Sequence, residues 1–327
     1  MSNTVMFTHT DLDGVVAAIL FRWYSEEVMG EHIEIHFCDY SDVDKRLQVF
    51  FHDPDNADKN ALIVDIAPQS VAAWVSLLNH KGQVWVHDHH KTSEEKFQAL
   101  VKAHASIAEK QFQANTFIGF DTSGAWCGAG LLFNAMLGWH WPNDDAMMDF
   151  NDRFAKMVRL TNLWDLHVGL DTPEFEEAKD FNRLFGILGR EEFMLPEHFG
   201  ATKFFVSTDE RKLLGFDKKE SQGYCDESER ITEVAFDGRM TEVVADEYVS
   251  DVAERLLSLP GVEVAVIYSP RRMGASVRAR QDSTFNARLY AEQFGGGGHD
   301  KAAGFPLVGL GLDMYFNYMR RRAANER

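Results

Sequence analysis

The sequence has few thiols, little positive charge and no long apolar run. Its three cysteines, Cys38, Cys127 and Cys225, lie far apart and form no CxxC pair. That excludes the usual cysteine spacing of a zinc site and leaves no disulfide framework, so a reducing cytoplasm is the default expectation. No stretch approaches the roughly 20 apolar residues of a membrane span, and Met1-Ser-Asn-Thr does not read as a signal peptide. Only 33 Lys and Arg stand against 51 Asp and Glu, for a net charge of −18. A sequence-blind grip on long duplex needs many cations to displace condensed counterions, so that function is disfavoured. A short phosphate ligand held by a few local arginines and by metal remains open. There is no internal repeat, and no low-complexity segment beyond the four glycines at 295–298. The expected class is a soluble cytoplasmic protein with no membrane partner.

What is present suits two globular domains: 327 residues, 45% of them hydrophobic and 26% charged. Residues 1 to about 110 alternate strand and helix. Strands are predicted at Thr4–Thr8, Ile33–Phe37, Ala61–Val64 and Gln83–Val86. Helices are predicted up to about Met29, near Asp42–Phe51, over Gln69–Asn79 and from Ser93. This βαβαβ rhythm predicts a doubly wound, mainly parallel sheet covered on both faces. From Ser123 to about Leu195 the pattern becomes helical, with helices over Gly124–Leu137 and Asp145–Leu166. Residues 196–230, carrying Pro196, Gly200, Gly215 and Gly223, are less regular and more charged, and read as a connecting region. From Ile231 alternation returns, with strands at Glu242–Ala245, Val262–Tyr268 and Ala275–Arg280 and helices at Val249–Leu257 and Arg288–Phe294. The expected division is therefore 1–195, a connection at 196–230, and a smaller α/β domain at 231–327.

Three strand ends are loaded with metal-ligand side chains. Thr4–Thr8 runs into His9-Thr-Asp11-Leu-Asp13-Gly14, Ala61–Val64 into Asp65, and Gln83–Val86 into His87-Asp88-His89-His90. Loops converge at the carboxyl edge of an open α/β sheet, so these ends can meet. Grouped carboxylates repel unless a cation neutralises them. Several Asp with few His and no thiolate favour Mn²⁺ before Mg²⁺, with Zn²⁺ behind. The ligands suffice for two ions roughly 3.5–4 Å apart, an arrangement that activates water and stabilises a leaving oxygen. One acidic loop alone would be a solvated turn; three at strand ends favour a site. Asp39 reads as a structural cap, and Asp121-Thr-Ser-Gly124 as a helix N-cap. His52, His80, His104, His140, His167 and His198 are scattered and need no special role. In the C-terminal part, Ser276, Arg278 and Arg280 alternate on one strand face. The glycine run, with Gly297 and Gly298, ends at His299; a helix start there would add a dipole favourable to phosphate.

His9-Thr-Asp11-Leu-Asp13-Gly14, Asp65, Asp88-His89-His90 and Gly295-Gly-Gly-Gly-His299-Asp-Lys-Ala-Ala-Gly304-Phe305 stand in one order along nearly the whole chain. In that set the chain resembles the DHH phosphoesterase superfamily, in the branch with a C-terminal DHHA1 domain, and within it the nanoRNases and related oligonucleotide phosphodiesterases. The resemblance implies a bilobal enzyme with a cleft, a metal-dependent hydrolase acting on phosphoric ester bonds. It implies one Mn²⁺ on His9, Asp11 and Asp65 and a second on Asp13, Asp65, His89 and Asp165, with Mg²⁺ or Co²⁺ as substitutes. Asp165 closes Thr161-Asn-Leu-Trp-Asp165 and is the match for the fourth motif, with Asp152 and Asp171 as competitors. His90 would contact the scissile phosphate, and Asp88 would orient the histidines. Arg278, Arg280, Gly297, Gly298 and His299 would bind substrate.

The expected function is Mn²⁺-dependent phosphodiesterase or exonuclease action on short oligonucleotides, releasing nucleoside monophosphates. A nucleotide 3′,5′-bisphosphate phosphatase, a cyclic or linear dinucleotide phosphodiesterase and an exopolyphosphatase are the alternatives on the same scaffold. A non-catalytic nucleotide-binding protein is the reading from another class. A homodimer is among the assemblies this allows.

Overall fold

Five short strands, β1 (Thr4–His9), β2 (Glu34–Cys38), β3 (Asn60–Val64), β4 (Val84–Asp88) and β5 (Thr116–Phe120), form one all-parallel sheet in the order β2-β1-β3-β4-β5. The structure, a computed structural model, describes residues 3–103, 115–170, 172–195, 206–235 and 238–325. It divides into two compact units, 1–214 and 215–327.

The first unit follows from side-chain alternation along its central strands. Met6, Leu62 and Val64 point into one apolar layer, and Val5, Phe7, Ala61 and Ile63 into the other. Strands buried on both faces read as continuous apolar runs, which is why β1 and β3 are conspicuous in the sequence. Helix α1 (Leu12–Trp23) covers the first face; α2 (Val43–His52), α3 (Val71–Leu78) and α4 (Lys91–Ala103) cover the second. Asp11 caps α1 by accepting from the Gly14 N–H, and Ser70 caps α3 through Ala73. Three further helices join the α1 layer: α5 (Gly128–Leu137), α6 (Asp144–Asp165) and α7 (Pro173–Phe193), the last kinked at Gly189 with φ 72°. Phe150 and Phe154 of α6 meet Trp23 of α1 at ring separations of 5.6 and 5.5 Å. Each such buried ring contributes on the order of 1.5–3 kcal/mol.

Two local expectations fail here. β5 is absent from the sequence reading, although Thr116-Phe-Ile-Gly-Phe120 is largely apolar: it is a short edge strand whose Phe117 and Gly119 are exposed. Asp121-Thr-Ser-Gly124 is a turn, with Asp121 accepting from the Ser123 N–H at 3.0 Å, and does not cap a helix. Helix α5 starts at Gly128 and its first N–H groups are satisfied from elsewhere in the chain.

Residues 196–205 lie outside the described residues, as do His104, Asp171 and His198. The remainder of the expected connection is not irregular: α8 (Thr208–Arg230) is one 23-residue helix, and the two units divide within it. Its buried positions, Glu210, Leu214, Ser221, Cys225 and Ser228, are mostly small or polar, so the stripe carries little apolar signal.

The second unit holds a mixed sheet of β6 (Glu233–Ala235), β7 (Met240–Val244), β8 (Val264–Ser269), β9 (Gly274–Ala279), β10 (Gly297–Gly298) and β11 (Ala302–Pro306), in the order β10-β11-β9-β8-β7-β6. Only β7 and β8 pair in parallel. Helix α9 (Val249–Leu257) packs on Val243, Ala265 and Ile267, whereas α10 (Ala287–Glu292) and α11 (Leu310–Asn325) lie with Val266, Val277 and Phe305. The buried Glu242 of β7 accepts from the Tyr268 hydroxyl at 2.7 Å and pairs with Arg321 of α11.

Candidate metal centre

The strand order reverses its direction of growth between β1 and β3, and an open α/β sheet leaves a crevice at the carboxyl ends of such a pair. Parallel register brings the loaded strand ends to one level: Thr8 lies opposite Val64, and Val64 opposite His87. His9 ends β1, Asp65 follows β3, and Asp88 ends β4. Asp11 and Asp13 enter with the first turn of α1, and Asp165 with the last residue of α6.

These side chains form two groups. His9 Nδ1 lies 2.8 Å from Asp11 Oδ2 and 3.8 Å from Asp65 Oδ2. His89 Nε2 lies 3.2 Å from Asp65 Oδ1, 3.4 Å from Asp165 Oδ2 and 3.6 Å from Asp13 Oδ2. His9, Asp11 and Asp65, and separately Asp13, His89 and Asp165, each offer three donor atoms within 4.8 Å of one another. Asp65 faces both groups, one through each oxygen.

The electrostatics call for a cation. Among the described residues no Lys or Arg pairs with Asp11, Asp13, Asp65, Asp88 or Asp165; their ion-pair partners are histidines. Asp65 Oδ2 and Asp165 Oδ2 are buried with no hydrogen-bond partner among the described residues. Burial, then the charges of Asp13 and Asp11, push both the Asp65 and Asp165 carboxyls well above the ordinary carboxylate range. Buried carboxylate oxygens left without donors are costly, and a divalent ion satisfies them. Hard oxygen donors with imidazoles suit Mn²⁺ or Mg²⁺. Cys127 lies close by, and burial and the charges of Asp13 and Asp165 raise its thiol well above its usual range.

The surrounding groups fix the candidate ligands. Asp88 Oδ1 accepts from the backbone N–H of His89 at 2.8 Å and of His90 at 3.2 Å, and holds His90 Nδ1 at 2.7 Å. Burial works against the Asp88 carboxylate, yet the His90 charge and hydrogen bond hold its pKa down to about 2. Asp13 accepts from the N–H groups of Gly128 at 2.6 Å and Ala129 at 2.7 Å. A carboxylate ending on a helix N-terminus is favourable, and this contact supplies the cap that α5 lacks locally. A Cβ on Gly128 would stand 2.6 Å from Asp65 Cβ, so only glycine allows the approach. Asp65 itself sits at φ 59°, a left-handed conformation that Asp and Asn tolerate better than most residues.

Of the Asp165 competitors, Asp152 is exposed on α6 and Asp171 lies outside the described residues. His87 is kept apart: it precedes Asp88 on the strand, and burial lowers its pKa to about 4. Gly128 and Tyr40 were not singled out in the sequence. The Tyr40 ring lies 5.2 Å from that of His9 and 6.0 Å from that of His90, and 41% of the residue is exposed. Its position after Cys38-Asp39 at a strand end was the available signal.

In the second unit, Arg278 Nη1 donates to the carbonyls of Val277 and Ala303 at 3.2 and 3.4 Å, and burial lowers its pKa. Arg280 lies past the end of β9 in a two-point pair with Asp282, at 2.9 and 2.5 Å. The glycine run does not start a helix: Gly297 and Gly298 pair with Gly304 and Ala303, and His299 exchanges backbone hydrogen bonds with Ala302. This is a tight hairpin, and a Cβ on Gly296 would meet the Gly304 carbonyl at 2.0 Å. The expected helix dipole is therefore missing at this place.

Residues 239–310 match the DHHA1 domain family. Oligoribonuclease NrnB of Bacillus subtilis (strain 168) is 24% identical over 315 residues, covering 93% of this chain and 72% of that one. RecJ from Thermus thermophilus, solved in complex with Mn²⁺, superposes with a TM-score of 0.56 at 15% identity, over 98% of this chain and 51% of that one. An exopolyphosphatase-related protein from Bacteroides fragilis gives a TM-score of 0.51 at 11% identity, over 99% and 93% of the two chains. The parallel sheet with its Asp/His crevice, followed by a DHHA1 match at 239–310, resembles the proteins of the DHH phosphoesterase superfamily. No helix among the described residues is long and apolar enough to cross a membrane.

Proposed function

We propose that this protein is a Mn²⁺-dependent phosphodiesterase that trims short oligonucleotides to nucleoside monophosphates. The observation that carries the reading is Asp65, buried and aimed with one oxygen at His9 and the other at His89. One ion would be held by His9, Asp11 and Asp65, and a second by Asp13, Asp65, His89 and Asp165. Ions so placed supply a nucleophile at neutral pH and neutralise charge on the leaving oxygen. The chain's own residues do the remaining work. Asp88 fixes the His90 ring by its Nδ1, which directs Nε2 as the ring atom to meet a phosphate oxygen. Asp13, anchored on the start of α5, keeps the two groups at a constant separation. Arg278, with Gly297, Gly298 and His299, would bind the substrate's terminal phosphate; Arg280 would first have to leave Asp282. The relationship to an oligoribonuclease supports this substrate class over bisphosphates, cyclic dinucleotides and polyphosphate.

The test is a rate comparison with Mn²⁺ across dinucleotides, longer single strands, a nucleotide 3′,5′-bisphosphate, a cyclic dinucleotide and polyphosphate. Dinucleotides and other short single strands should be turned over fastest. Asp65→Asn and His89→Ala should each lower kcat by about 10³-fold or more while the circular dichroism spectrum stays native. Near-normal turnover in either variant would reject the shared-ligand assignment, and polyphosphate as the fastest substrate would reject the oligonucleotide reading.

A further inference from the structure

A cavity of about 750 Å³ opens beside the metal centre in the first unit, and the site as described makes no use of it. Thr10, between His9 and Asp11, and Asp39, at the end of β2, form its near wall. Phe37, Arg190, Arg46 and Arg22 line it further in, together with the carboxylates of Glu26, Asp42 and Glu191. The Arg190 guanidinium carbon lies 4.3 Å from the centre of the Phe37 ring, which makes a flat cationic platform.

We propose that this cavity is a nucleotide subsite: the residue next to the scissile phosphodiester lays its base on the Phe37–Arg190 platform and its phosphate against Arg46. The inference rests on the oligonucleotide reading above and states which part of such a substrate this unit recognises. The volume is within the range of pockets that enclose one small organic ligand, about 300–1,000 Å³. Stacking on an aromatic or guanidinium plane tolerates any base, as a trimming enzyme requires. The arginines are available for exchange. Arg46 holds Asp42 at 2.6 Å and Arg190 holds Glu191 at 3.0 Å, but both pairs are solvent-exposed, with Glu191 90% exposed. Such pairs contribute little, so a phosphate can displace the carboxylate. Arg22 is tied to the Met194 carbonyl and braces the far wall. A polyphosphate ligand would use the arginines and leave the ring idle, which separates the two substrate classes.

The experiment is calorimetric titration with AMP and with ribose 5-phosphate in Mn²⁺, on the wild type, Phe37→Leu, Arg190→Ala and Arg46→Ala. The wild type should bind AMP about tenfold tighter than ribose 5-phosphate. Phe37→Leu keeps an apolar side chain in the layer and should bring that ratio near one, as should Arg190→Ala on the surface. Arg46→Ala should weaken both ligands by a similar factor. A ratio near one in the wild type, or one unchanged in Phe37→Leu and Arg190→Ala, would overturn the subsite. The hydrolysis panel reports separately: turnover of dinucleotides with an unchanged ratio removes the subsite alone. A ratio lost in the variants, with no turnover of any oligonucleotide, removes the proposed activity and leaves the subsite.

Discussion

Asp65 joins both groups of the candidate metal centre through one side chain. It is a buried carboxylate in a left-handed conformation, with one oxygen lacking any hydrogen-bond donor among the described residues. Without an ion its pKa lies well above the ordinary 3.8, through burial and through Asp13 and Asp11, and Asp165 behaves the same way. The folded, ion-free protein binds more protons at these groups than the unfolded chain. Its stability is then fullest below about pH 4 for these two groups and declines as pH rises through their folded pKa values. Asp65→Asn removes one charge and keeps a residue that accepts φ 59°. Thermal unfolding at pH 8 in EDTA should show the variant melting a few degrees above the wild type, roughly 2–4 °C per kcal/mol relieved. Mn²⁺ should raise the wild-type melting point, by about 2.7 kcal/mol of stabilisation at 100 times Kd, and move the variant far less. Because the lowered pKa of buried His87 makes stability rise with pH over part of this range in both proteins, the comparison is decisive: an ion-free pH dependence between 5 and 8 identical in the wild type and Asp65→Asn would contradict the raised Asp65 pKa.

At the scale of elements, the start of α5 is what binds the two ligand groups into one body. Its first N–H groups end on Asp13, and Gly128 lets the helix approach Asp65 to a distance that no side chain permits. Gly128→Ala is the mildest test. The added methyl would overlap Asp65 Cα and Cβ, at 2.9 and 2.6 Å, so α5 or the Asp65 turn must shift. A cost of about 1–3 kcal/mol in urea unfolding is expected from overpacking, together with a loss of Mn²⁺ affinity of at least tenfold by titration. Unaltered affinity would mean that this helix plays no part in placing the ligands. The same element explains why Asp121-Thr-Ser-Gly124 misled as a cap: the real capping carboxylate comes from more than a hundred residues upstream.

For the molecule as a whole, the charge balance sets what can be bound. With 33 cationic against 51 acidic residues, few phosphates can be neutralised at once. Fluorescence anisotropy with a long labelled duplex at about 0.15 M salt should show no saturable binding, because the counterion-release term is small. Tight duplex binding with a steep salt slope would refute this. The proposed recognition instead rests on local arginines, around Phe37 in one unit and at Arg278 in the other.

The amino-acid sequence alone determined the parallel sheet and pointed to the candidate Asp and His ligands at its strand ends. β1 and β3 are buried on both faces and so must be apolar throughout, and a charged residue directly after such a run is conspicuous. Asp165, offered by the family resemblance at the close of an amphipathic helix, is brought to 3.4 Å from His89. What only the tertiary structure decided lies wherever partners are remote in sequence or the signal is one of shape. The fit of Gly128 to Asp65, the helix that runs through 208–230 and the hairpin formed by the glycine run belong here. So do the edge strand β5 and the cavity beside Thr10. Residue type and local period report which surfaces are buried, whereas the distance between two side chains is set by packing across the whole chain.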